Sequence, residues 1–453
     1  MIENKKPYVK PTMIKLQSGL MNKFGVSPYY ARKVRTAIDG VSIDELVKRF
    51  GSPLFVFSEK QIRNTIREAK ESFATRYPNV TFGWSYKTNY LDAINAIYHQ
   101  EGSIAEVVSE MEYDKARRLG IPGEDIIFNG PHKSMTALKK AAEEGAKIHI
   151  DHFDEIDDLE KVAAELGKEL SVAIRLNLDS GIQPQWSRFG FNLESGQAMD
   201  AVRRIQMGGK LRLNGLHCHI GTFILEPEAY KTQTEKMVRF AYELEETLGV
   251  TIEYLDIGGG IPSKNKLKGT YLPPDVSVPP LDTFAEKVSE GLYNALKPGD
   301  FPKLYLETGR ALIDEAGYLI TTVFASKRLP DGRKSYILDA GVNLLFTATW
   351  YKFTIETDRE MQGLGEPALL NGPLCMNIDV VDDGILLPPM KRGTRLILSP
   401  VGAYNVTQWM QFIEYRPAVV LVTETGEVEL IREREDLSDI LRRERLPERL
   451  RLA

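Results

Sequence analysis

The chain has 453 residues, of which 43% are hydrophobic and 27% charged, an ordinary composition for a soluble protein that buries its core in two domains. A net charge of −5 gives no reason to expect a nucleic acid as a partner, and no apolar run reaches the roughly 20 residues that a membrane-spanning helix needs. The two cysteines favour a reducing compartment and no apolar signal core follows the first residues, so we expect a cytoplasmic protein.

Short β-rich runs alternate with amphipathic helical stretches from about residue 50 to 315. The predicted strands are 52–57, 80–86, 126–128, 147–150, 172–176, 215–219, 254–256 and 304–306. The clearest predicted helices are 59–76, 134–144 and 155–166. Repeated strand–helix units predict an α/β fold with a parallel sheet, and about eight units in roughly 260 residues predict a closed TIM-type (β/α)8 barrel over 50–315.

After residue 315 the sequence pattern predicts strands and turns without long helices. The clearest strands there are 317–325, 335–338, 394–398 and 418–423. We therefore predict a C-terminal β domain, a β-barrel or β-sandwich, over 316–430, joined by the N-terminal segment 1–49. The stretch 262–281 is predicted to be a long surface loop, either a lid or a plain insertion, and 431–453 a charged tail with a solvated helix.

Lys87 follows a predicted strand and is the first of a series of reactive groups at strand ends and turns. The later members are His217, His219, Thr222, the glycine turn Gly258, Gly259 and Gly260, the run Glu307, Gly309 and Arg310, and then Cys375 and Tyr404. Chemistry on a (β/α)8 barrel takes place at the carboxyl ends of its strands. We therefore expect the groups that follow barrel strands to meet at one rim.

These residue types together indicate chemistry on a pyridine-aldehyde cofactor. A lysine forms Schiff bases with aldehydes, although a lone lysine is more often a solvated charge. Consecutive glycines let backbone amide groups approach a phosphate closely, and Thr222 would add a hydroxyl donor. Glu307 would keep a pyridine nitrogen protonated, so that the ring accepts electrons from a breaking bond, which favours decarboxylation over racemisation. The alternative role for Glu307 is an ion pair with Arg310.

No metal site is predicted. The six histidines lack a ligand spacing such as His-Glu-x-x-His. His217 and His219 share a strand face, which makes a shared metal conceivable, but no third ligand is apparent from the sequence. One of these two histidines is expected to stack on the cofactor ring and the other to lie in the core.

The ordered motifs resemble the fold-type III pyridoxal 5′-phosphate (PLP)-dependent decarboxylases with their alanine racemase-like fold, and most closely the diaminopimelate decarboxylase branch, from about residue 40 to 430. The resemblance implies a small amino-acid-type substrate and a homodimer with shared active sites. It implies that Lys87 holds PLP as an aldimine, that His219 stacks on its ring and that Glu307 pairs with the pyridine nitrogen. The other implied cofactor-binding residues are Thr222, Gly258, Gly259, Gly260, Gly309, Arg310 and Tyr404.

The resemblance also implies which residues handle the substrate. Arg310 and Tyr351 would bind it, and Cys375 of the partner subunit would reprotonate the carbanion that remains after carbon dioxide leaves. The run 187–191 resembles the helix with which the family measures substrate length.

Two further substrate positions depart from the diaminopimelate branch. Thr347 stands where that branch has an arginine that grips a substrate carboxylate, and Met376 stands where it has a glutamate that contacts the distal amine. Losing one charged hydrogen bond costs about 1.5–3 kcal/mol, so we do not expect meso-diaminopimelate to be the substrate. A modified amino acid, a siderophore-pathway intermediate or a carrier-linked aminoacyl group would fit a less charged pocket.

The sequence therefore favours a PLP-dependent carboxy-lyase acting on an amino acid or its derivative. One alternative is an amino-acid racemase of the same fold, against which Glu307 and Cys375 argue. The other is a non-catalytic homologue that regulates a partner decarboxylase. Such a protein would be expected to lose Lys87 or Cys375, and this chain keeps both.

Overall fold

The computed structural model describes residues 34–182, 184–270 and 272–452. Its strands are β1 (Ala37–Ile38), β2 (Val41–Ser42), β3 (Leu54–Ser58), β4 (Val80–Ser85), β5 (Ile104–Val107), β6 (Ile126–Phe128), β7 (Lys147–Ile150), β8 (Leu170–Asn177), β9 (Phe191–Asn192), β10 (Leu211–Cys218), β11 (Tyr254–Asp256), β12 (Lys303–Leu306), β13 (Gly317–Arg328), β14 (Lys334–Leu338), β15 (Thr354–Thr357), β16 (Glu366–Asn371), β17 (Val380–Leu387), β18 (Arg395–Ser399), β19 (Ala418–Val422) and β20 (Val428–Arg432). Its helices are α1 (Ile43–Phe50), α2 (Glu59–Ala74), α3 (Asp92–Gln100), α4 (Glu110–Arg118), α5 (Met135–Glu143), α6 (Phe153–Leu166), α7 (Gln197–Gly208), α8 (Glu228–Leu248), α9 (Pro274–Ser277), α10 (Leu281–Ala295), α11 (Arg310–Ile313) and α12 (Leu437–Leu441).

A closed barrel of eight parallel strands forms the centre of the described part of the chain. Around the barrel the strands follow the order β4, β5, β6, β7, β8, β10, β11 and β12, and β12 pairs with β4 to close the ring. Strands such as β6 and β11 are buried along their whole length, because the outer helices cover a parallel barrel on every side. The predicted fold class is confirmed.

Within the described residues, the eight barrel strands are not the eight that the sequence predicted. The predicted strand at 52–57 exists as β3, but it pairs with β13 and β19 outside the barrel. Its place is taken by β5, which the sequence analysis missed. That strand has four residues and carries Glu106, so a charged side chain interrupts the short apolar run that would mark a buried strand.

Serine N-caps fix where outer helices begin. Ser58 Oγ accepts the backbone N–H of Gln61 at the start of α2, and Ser134 Oγ accepts that of Ala137 at the start of α5. Such a cap satisfies an N–H group that the first helical turn leaves without a partner, and it contributes about 1 kcal/mol. The two helices lie close to their predicted bounds.

A second sheet is built mostly from the C-terminal part of the chain. Its strand order is β17, β16, β14, β13, β3, β19 and β20, and β18 pairs with both β13 and β15. One apolar cluster joins this sheet to α1. The cluster contains Ile43, Leu46, Leu54, Val56, Ile320, Ile397, Ala418 and Val420. The described part of the N-terminal segment thus packs on the second sheet, and residues 1–33 lie outside the described residues.

Two segments show contacts or elements that the sequence pattern did not specify. In the predicted loop 262–281, Lys266 and Lys268 are bonded to the body of the protein, since Lys268 N–H donates to the Trp350 carbonyl at 2.7 Å and Lys352 N–H donates to the Lys266 carbonyl at 2.8 Å. The described part of the charged tail forms the five-residue helix α12, with the Asp436 side chain as its N-cap, and a 3-10 helix at Glu448–Leu450. No helix in the three described ranges is both long and apolar enough to cross a membrane.

Candidate active site

A cavity of about 630 Å³ opens at the carboxyl ends of the barrel strands. Its lining residues are Ser85, Lys87, Trp186, His219, Thr222, Phe223, Leu225, Gly259, Gly260, Ile261, Leu267, Glu307, Gly309, Arg310, Thr347, Trp350, Tyr351, Tyr404 and Gln408. Lys87 follows β4, His219 follows β10, Gly259 follows β11 and Glu307 follows β12. The structure thus brings the groups at these four strand ends together at one rim.

Lys87 is held by a carboxylate that the sequence analysis did not single out. Its Nζ donates to Glu106 Oε1 at 2.9 Å and to Oε2 at 2.7 Å. Ser85 Oγ donates to the same carboxylate at 2.5 Å, and Glu106 is fully buried. Burial by itself lowers the pKa of Lys87, but the charges of Glu106 and Glu307 outweigh it and raise the pKa above its ordinary value.

Glu307 lies in a buried polar cluster beneath the cavity. Asn129 Nδ2 donates to Glu307 Oε1 and also, at 3.0 Å, to Glu106 Oε1, so one amide links the two carboxylates. Asp256 accepts the Gly258 N–H at 2.9 Å. Burial and the Glu307 charge raise the pKa of Asp256 well above its ordinary value, which favours the protonated form of Asp256.

His217 and His219 point into different environments. His219 lines the cavity, whereas His217 is buried with its Nε2 atom 3.4 Å from Glu307 Oε2. Burial, together with the charge of Arg175, holds the pKa of both histidines well below the ordinary value. The Gly259 N–H donates to His219 Nδ1 at 3.0 Å, so the proton of the neutral His219 ring is on Nε2.

The cluster also contains a grouping that sequence spacing did not predict. His149, His217 and Glu307 each offer a ligand atom, and these atoms lie within 4.8 Å of one another. The sequence analysis paired His217 with His219 and found no third ligand. The three residues of the actual grouping are on β7, on β10 and after β12, far apart in sequence, so spacing along the chain could not reveal it.

The glycine turn leaves no space for side chains. A Cβ atom at Gly259 would lie 2.5 Å from the Glu307 carbonyl oxygen, and one at Gly260 would lie 2.4 Å from the Gly221 carbonyl oxygen. Gly258 and Gly260 also have φ values of 67° and 99°, in the left-handed region that glycine tolerates. The turn can therefore bring its backbone close to a bound anion.

Arg310 supplies positive charge next to this turn. Its guanidinium lies 4.8 Å from the ring centroids of both Tyr351 and Tyr404. Its ion pair is with Asp314, at 3.7 Å, and not with Glu307, which removes the alternative role considered for that carboxylate. Arg310 Nε and Nη1 are buried and have no hydrogen-bond partner, a costly state unless an anion completes the site.

The residues present fit PLP. The unpartnered nitrogens of Arg310 and the glycine turn suit a phosphate. Lys87 supplies an amine for the aldehyde, and Glu307 supplies a buried carboxylate for the ring nitrogen. Phosphate, aldehyde and ring nitrogen thus each have a matching group in the same cavity.

Four predicted substrate-handling residues lie in different places. Tyr351 and Thr347 line the cavity, and Thr347 Oγ1 donates to Asn405 Oδ1 at 2.8 Å. Cys375 is exposed on the loop between β16 and β17, and neither it nor Met376 lines the cavity of this chain. The run 187–191 forms a turn and the start of β9 where the resemblance implied a helix.

Sequence reasoning missed several groups at the site. Glu106 and Asn129 lie near the ends of β5 and β6, where a barrel concentrates its chemistry, and this placement is the signal that could have found them. Trp186, which lies directly before the run 187–191, lines the cavity edge-on to His219, with ring centroids 5.4 Å apart. No motif marked Trp186, because a lone tryptophan in a loop has no spacing to read.

Comparisons with known proteins agree with this geometry. The family model for the pyridoxal-dependent decarboxylase, pyridoxal binding domain, matches residues 60–314. Diaminopimelate decarboxylase of Aquifex aeolicus is 31% identical over 420 residues, which cover 89% of this chain and 94% of that protein. Diaminopimelate decarboxylase of Methanocaldococcus jannaschii is 29% identical over 434 residues, covering 92% of this chain and 96% of that protein.

Solved structures show the same relationship. The crystal structure of diaminopimelate decarboxylase from M. jannaschii has a TM-score of 0.84 and 29% identity, covering 92% of this chain and 98% of that one. The lysine/ornithine decarboxylase of Vibrio vulnificus, complexed with putrescine, shares the fold with a TM-score of 0.72 at 23% identity, covering 85% and 98%. Because the family model spans the strand ends that carry Lys87, His219 and Glu307, and the Aquifex relative matches along almost its whole length, the chain belongs to the pyridoxal-dependent decarboxylases, carboxy-lyases that use PLP to act on amino acids.

Proposed function

We propose that this enzyme decarboxylates an amino acid or amino-acid derivative other than meso-diaminopimelate. In this proposal Lys87 binds PLP covalently, His219 stacks on the cofactor ring and Glu307 pairs with its nitrogen. Arg310 binds an anion, either the cofactor phosphate or the substrate carboxylate. The observation that carries the proposal is the convergence of Lys87, Glu307 and Arg310, with its buried nitrogens that lack hydrogen-bond partners, on one cavity.

The position of Glu307 supports decarboxylation over racemisation. PLP supplies an electron sink when its ring nitrogen is protonated. Asn129 Nδ2 donates to Glu307 Oε1, which holds the carboxylate in place at the cavity. A carboxylate beside the ring nitrogen would favour a proton on that nitrogen.

The substrate end of the cavity supports a change of substrate. Arg310 is the only cationic side chain besides Lys87 among the described residues that line the cavity. The Thr347 hydroxyl is already engaged with Asn405, so it does not replace a guanidinium as a carboxylate clamp. A modified amino acid, a siderophore-pathway intermediate or a carrier-linked aminoacyl group requires less charge from the pocket than a diamino diacid does.

A homodimer completes the site in this proposal. Cys375 is exposed and outside the cavity of its own chain, so it cannot protonate a carbanion bound there. The same loop is held rigidly, since Asp379 accepts the N–H groups of Val342 and Leu374 at 2.7 Å each. A second copy docked over the cavity mouth would bring Cys375 of the partner subunit to the substrate.

The test is carbon dioxide release by purified PLP-loaded protein, with chiral chromatography of the recovered substrate. The panel contains meso-diaminopimelate, both enantiomers of lysine, ornithine and arginine, and N-acylated diamino acids. We expect carbon dioxide from at least one compound, and little from meso-diaminopimelate. Glu307→Gln should lower that rate by about 100-fold or more, as loss of a buried electrostatic partner does, and Glu68→Gln on the exposed face of α2 is the control. Racemised substrate without carbon dioxide would refute the decarboxylase assignment, and efficient turnover of meso-diaminopimelate would refute the substrate change.

A further inference from the structure

We infer that the substrate is an α-amino acid whose side chain ends in an uncharged aromatic or acyl group, bound against an aromatic wall formed by Trp186, Phe223 and Trp350. The inference rests on the proposed decarboxylase function and names its substrate class. All three residues line the same cavity as Lys87. None of them has a role in holding the cofactor as proposed above.

The charges of the cavity argue against a second charged group on the substrate. Among the described lining residues, the charged ones are Lys87, Glu307 and Arg310. In the proposed function Lys87 and Glu307 face the cofactor and Arg310 faces an anion. No lining carboxylate in the described chain then remains for a distal ammonium group, and a buried ammonium without a partner is strongly disfavoured.

The loop that carries Cys375 also offers no charged side chain in the run 375–378. If the partner subunit places this loop over the cavity, it brings the run 375–378, which is cysteine, methionine, asparagine and isoleucine, without any charge. Ile378 is exposed in the single chain. The nearby carboxylate of Asp379 is buried and accepts hydrogen bonds from backbone N–H groups. The dimer would therefore extend the uncharged surface of the cavity.

Two members of the aromatic wall are exposed at the cavity. Trp186 is 37% exposed and Trp350 is 50% exposed in the single chain. Trp186 is fixed edge-on to His219, and Trp350 packs edge-on to Phe346 with ring centroids 5.2 Å apart. Leu267, which forms an isolated β-bridge with Tyr351, adds an apolar side chain to the lining of the same cavity. Exposed aromatic side chains beside a catalytic lysine form a surface for an apolar group.

The backbone at Phe223 supports the same conclusion. Phe223 has a φ of 55°, and Tyr404 on the same cavity has a φ of 60°. Bulky residues rarely adopt this left-handed conformation, and strain of this kind persists where a side chain must be aimed. The Phe223 ring is 5.1 Å from the Tyr351 ring and 5.7 Å from the Arg310 guanidinium. The strained backbone therefore places an aromatic ring next to the anion-binding arginine.

The experiment compares two ligands that differ only at the distal end, lysine and Nε-benzoyl-lysine, each as both enantiomers, with meso-diaminopimelate as a third probe. Binding to the PLP-loaded protein is read from the change in the cofactor absorbance band, and turnover from carbon dioxide release. We expect one enantiomer of benzoyl-lysine to bind at least about tenfold more tightly than the matching lysine and to be decarboxylated.

Variants test the aromatic wall directly. Trp186→Ala should abolish most of the preference for the benzoyl compound, and Trp186→Phe should retain most of it. Trp350→Ala gives an independent measurement at a second exposed residue. Phe301, which is 42% exposed and does not line the cavity, provides the matched control as Phe301→Ala. A preference that is unchanged in both tryptophan variants would overturn the inference.

The outcomes separate the two proposals. The substrate class is overturned if lysine or meso-diaminopimelate binds as tightly as benzoyl-lysine, or if benzoyl-lysine does not bind. Either result leaves the decarboxylase function in place. A protein that takes up no PLP refutes the decarboxylase function itself, and the substrate class with it.

Discussion

Lys87 Nζ lies 2.9 and 2.7 Å from the two carboxylate oxygens of Glu106. An ammonium group is not a nucleophile, so an ion pair that raises the pKa of Lys87 slows its attack on an aldehyde. Glu106 is therefore expected to control how fast the protein captures PLP.

Replacing Glu106 by glutamine tests that control. Glu106→Gln removes the charge that raises the pKa of Lys87, so the neutral amine forms at lower pH and the pH profile of PLP capture shifts to lower pH. We expect capture at neutral pH to be faster by about tenfold or more, the factor that one pKa unit gives. The measurement is stopped-flow absorbance after PLP is mixed with apoprotein between pH 6 and 10. Ser85→Ala, which removes a hydrogen bond to Glu106 but keeps its charge, should not shift the profile, and an unshifted profile in Glu106→Gln would contradict the prediction.

Gly259→Ala should weaken PLP binding. The added Cβ would lie 2.5 Å from the backbone oxygen of Glu307, so the turn or the strand end must move. We expect the dissociation constant for PLP to rise by at least about tenfold, measured by equilibrium dialysis of the apoprotein. Gly384→Ala is the matched control, since a Cβ there meets nothing within 4 Å. Equal affinities in the two variants would show that the turn does not hold the phosphate.

Glu112 should make the stability of the protein depend on pH. Burial raises the pKa of Glu112 to about 7 from an ordinary value of 4.5, although the Val108 N–H opposes the shift. The folded state therefore holds this proton more tightly than the unfolded state, and the stabilisation is full below about pH 4.5 and lost as the pH rises through about 7. Glu112→Gln keeps the acceptor for Val108 and removes the titration.

Urea denaturation of the apoprotein at pH 5 and pH 8 measures this effect. At pH 8 Glu112→Gln should be more stable than the unmodified protein by up to about 3 kcal/mol, and at pH 5 the gain should be much smaller. Glu110→Gln lies on the exposed face of the same helix. Its stability should differ from that of the unmodified protein by the same amount at both pH values. The same difference between Glu112→Gln and the unmodified protein at both pH values would contradict the assignment.

Mixing two inactive variants tests whether active sites are shared between subunits. Lys87→Ala and Cys375→Ala should each be inactive, because each lacks one half of every site. If the halves come from different subunits, a mixed dimer contains one intact site, and random exchange restores at most about a quarter of the original activity. Cys218→Ala, which changes the buried cysteine outside the cavity lining, should remain active by itself and controls for the loss of a thiol. No recovery after exchange would show that both groups act within one chain.

Periodicity in the sequence was enough to predict the barrel, because strand–helix units leave strong apolar patterns at every turn of the chain. It could not assign β3 to its sheet. A buried strand has the same apolar sequence pattern in the barrel and in the second sheet. Only the pairing of β3 with β13 and β19 shows that it belongs to the second sheet. The tail was predicted to be helical from its charge pattern, but without a buried face its described residues form only the short helix α12 and a 3-10 helix.

The site residues that could be predicted are those that lie in a recognisable sequence motif. Lys87, the glycine turn and Glu307 each stand in a motif, and the structure places them on one cavity. Glu106, Asn129 and Trp186 could not be predicted in this way. Their importance comes from long-range contacts, such as the Asn129 amide that joins two carboxylates from strands far apart in sequence.

Lys87 is the residue that we propose binds PLP covalently. The most direct measurement is borohydride reduction of the PLP-loaded protein, followed by peptide mass spectrometry to locate the pyridoxyl group. We predict that the pyridoxyl group is found at Lys87 alone, and that Lys87→Ala carries no pyridoxyl group. A pyridoxyl group on another lysine, or none at all, would refute the assignment of Lys87.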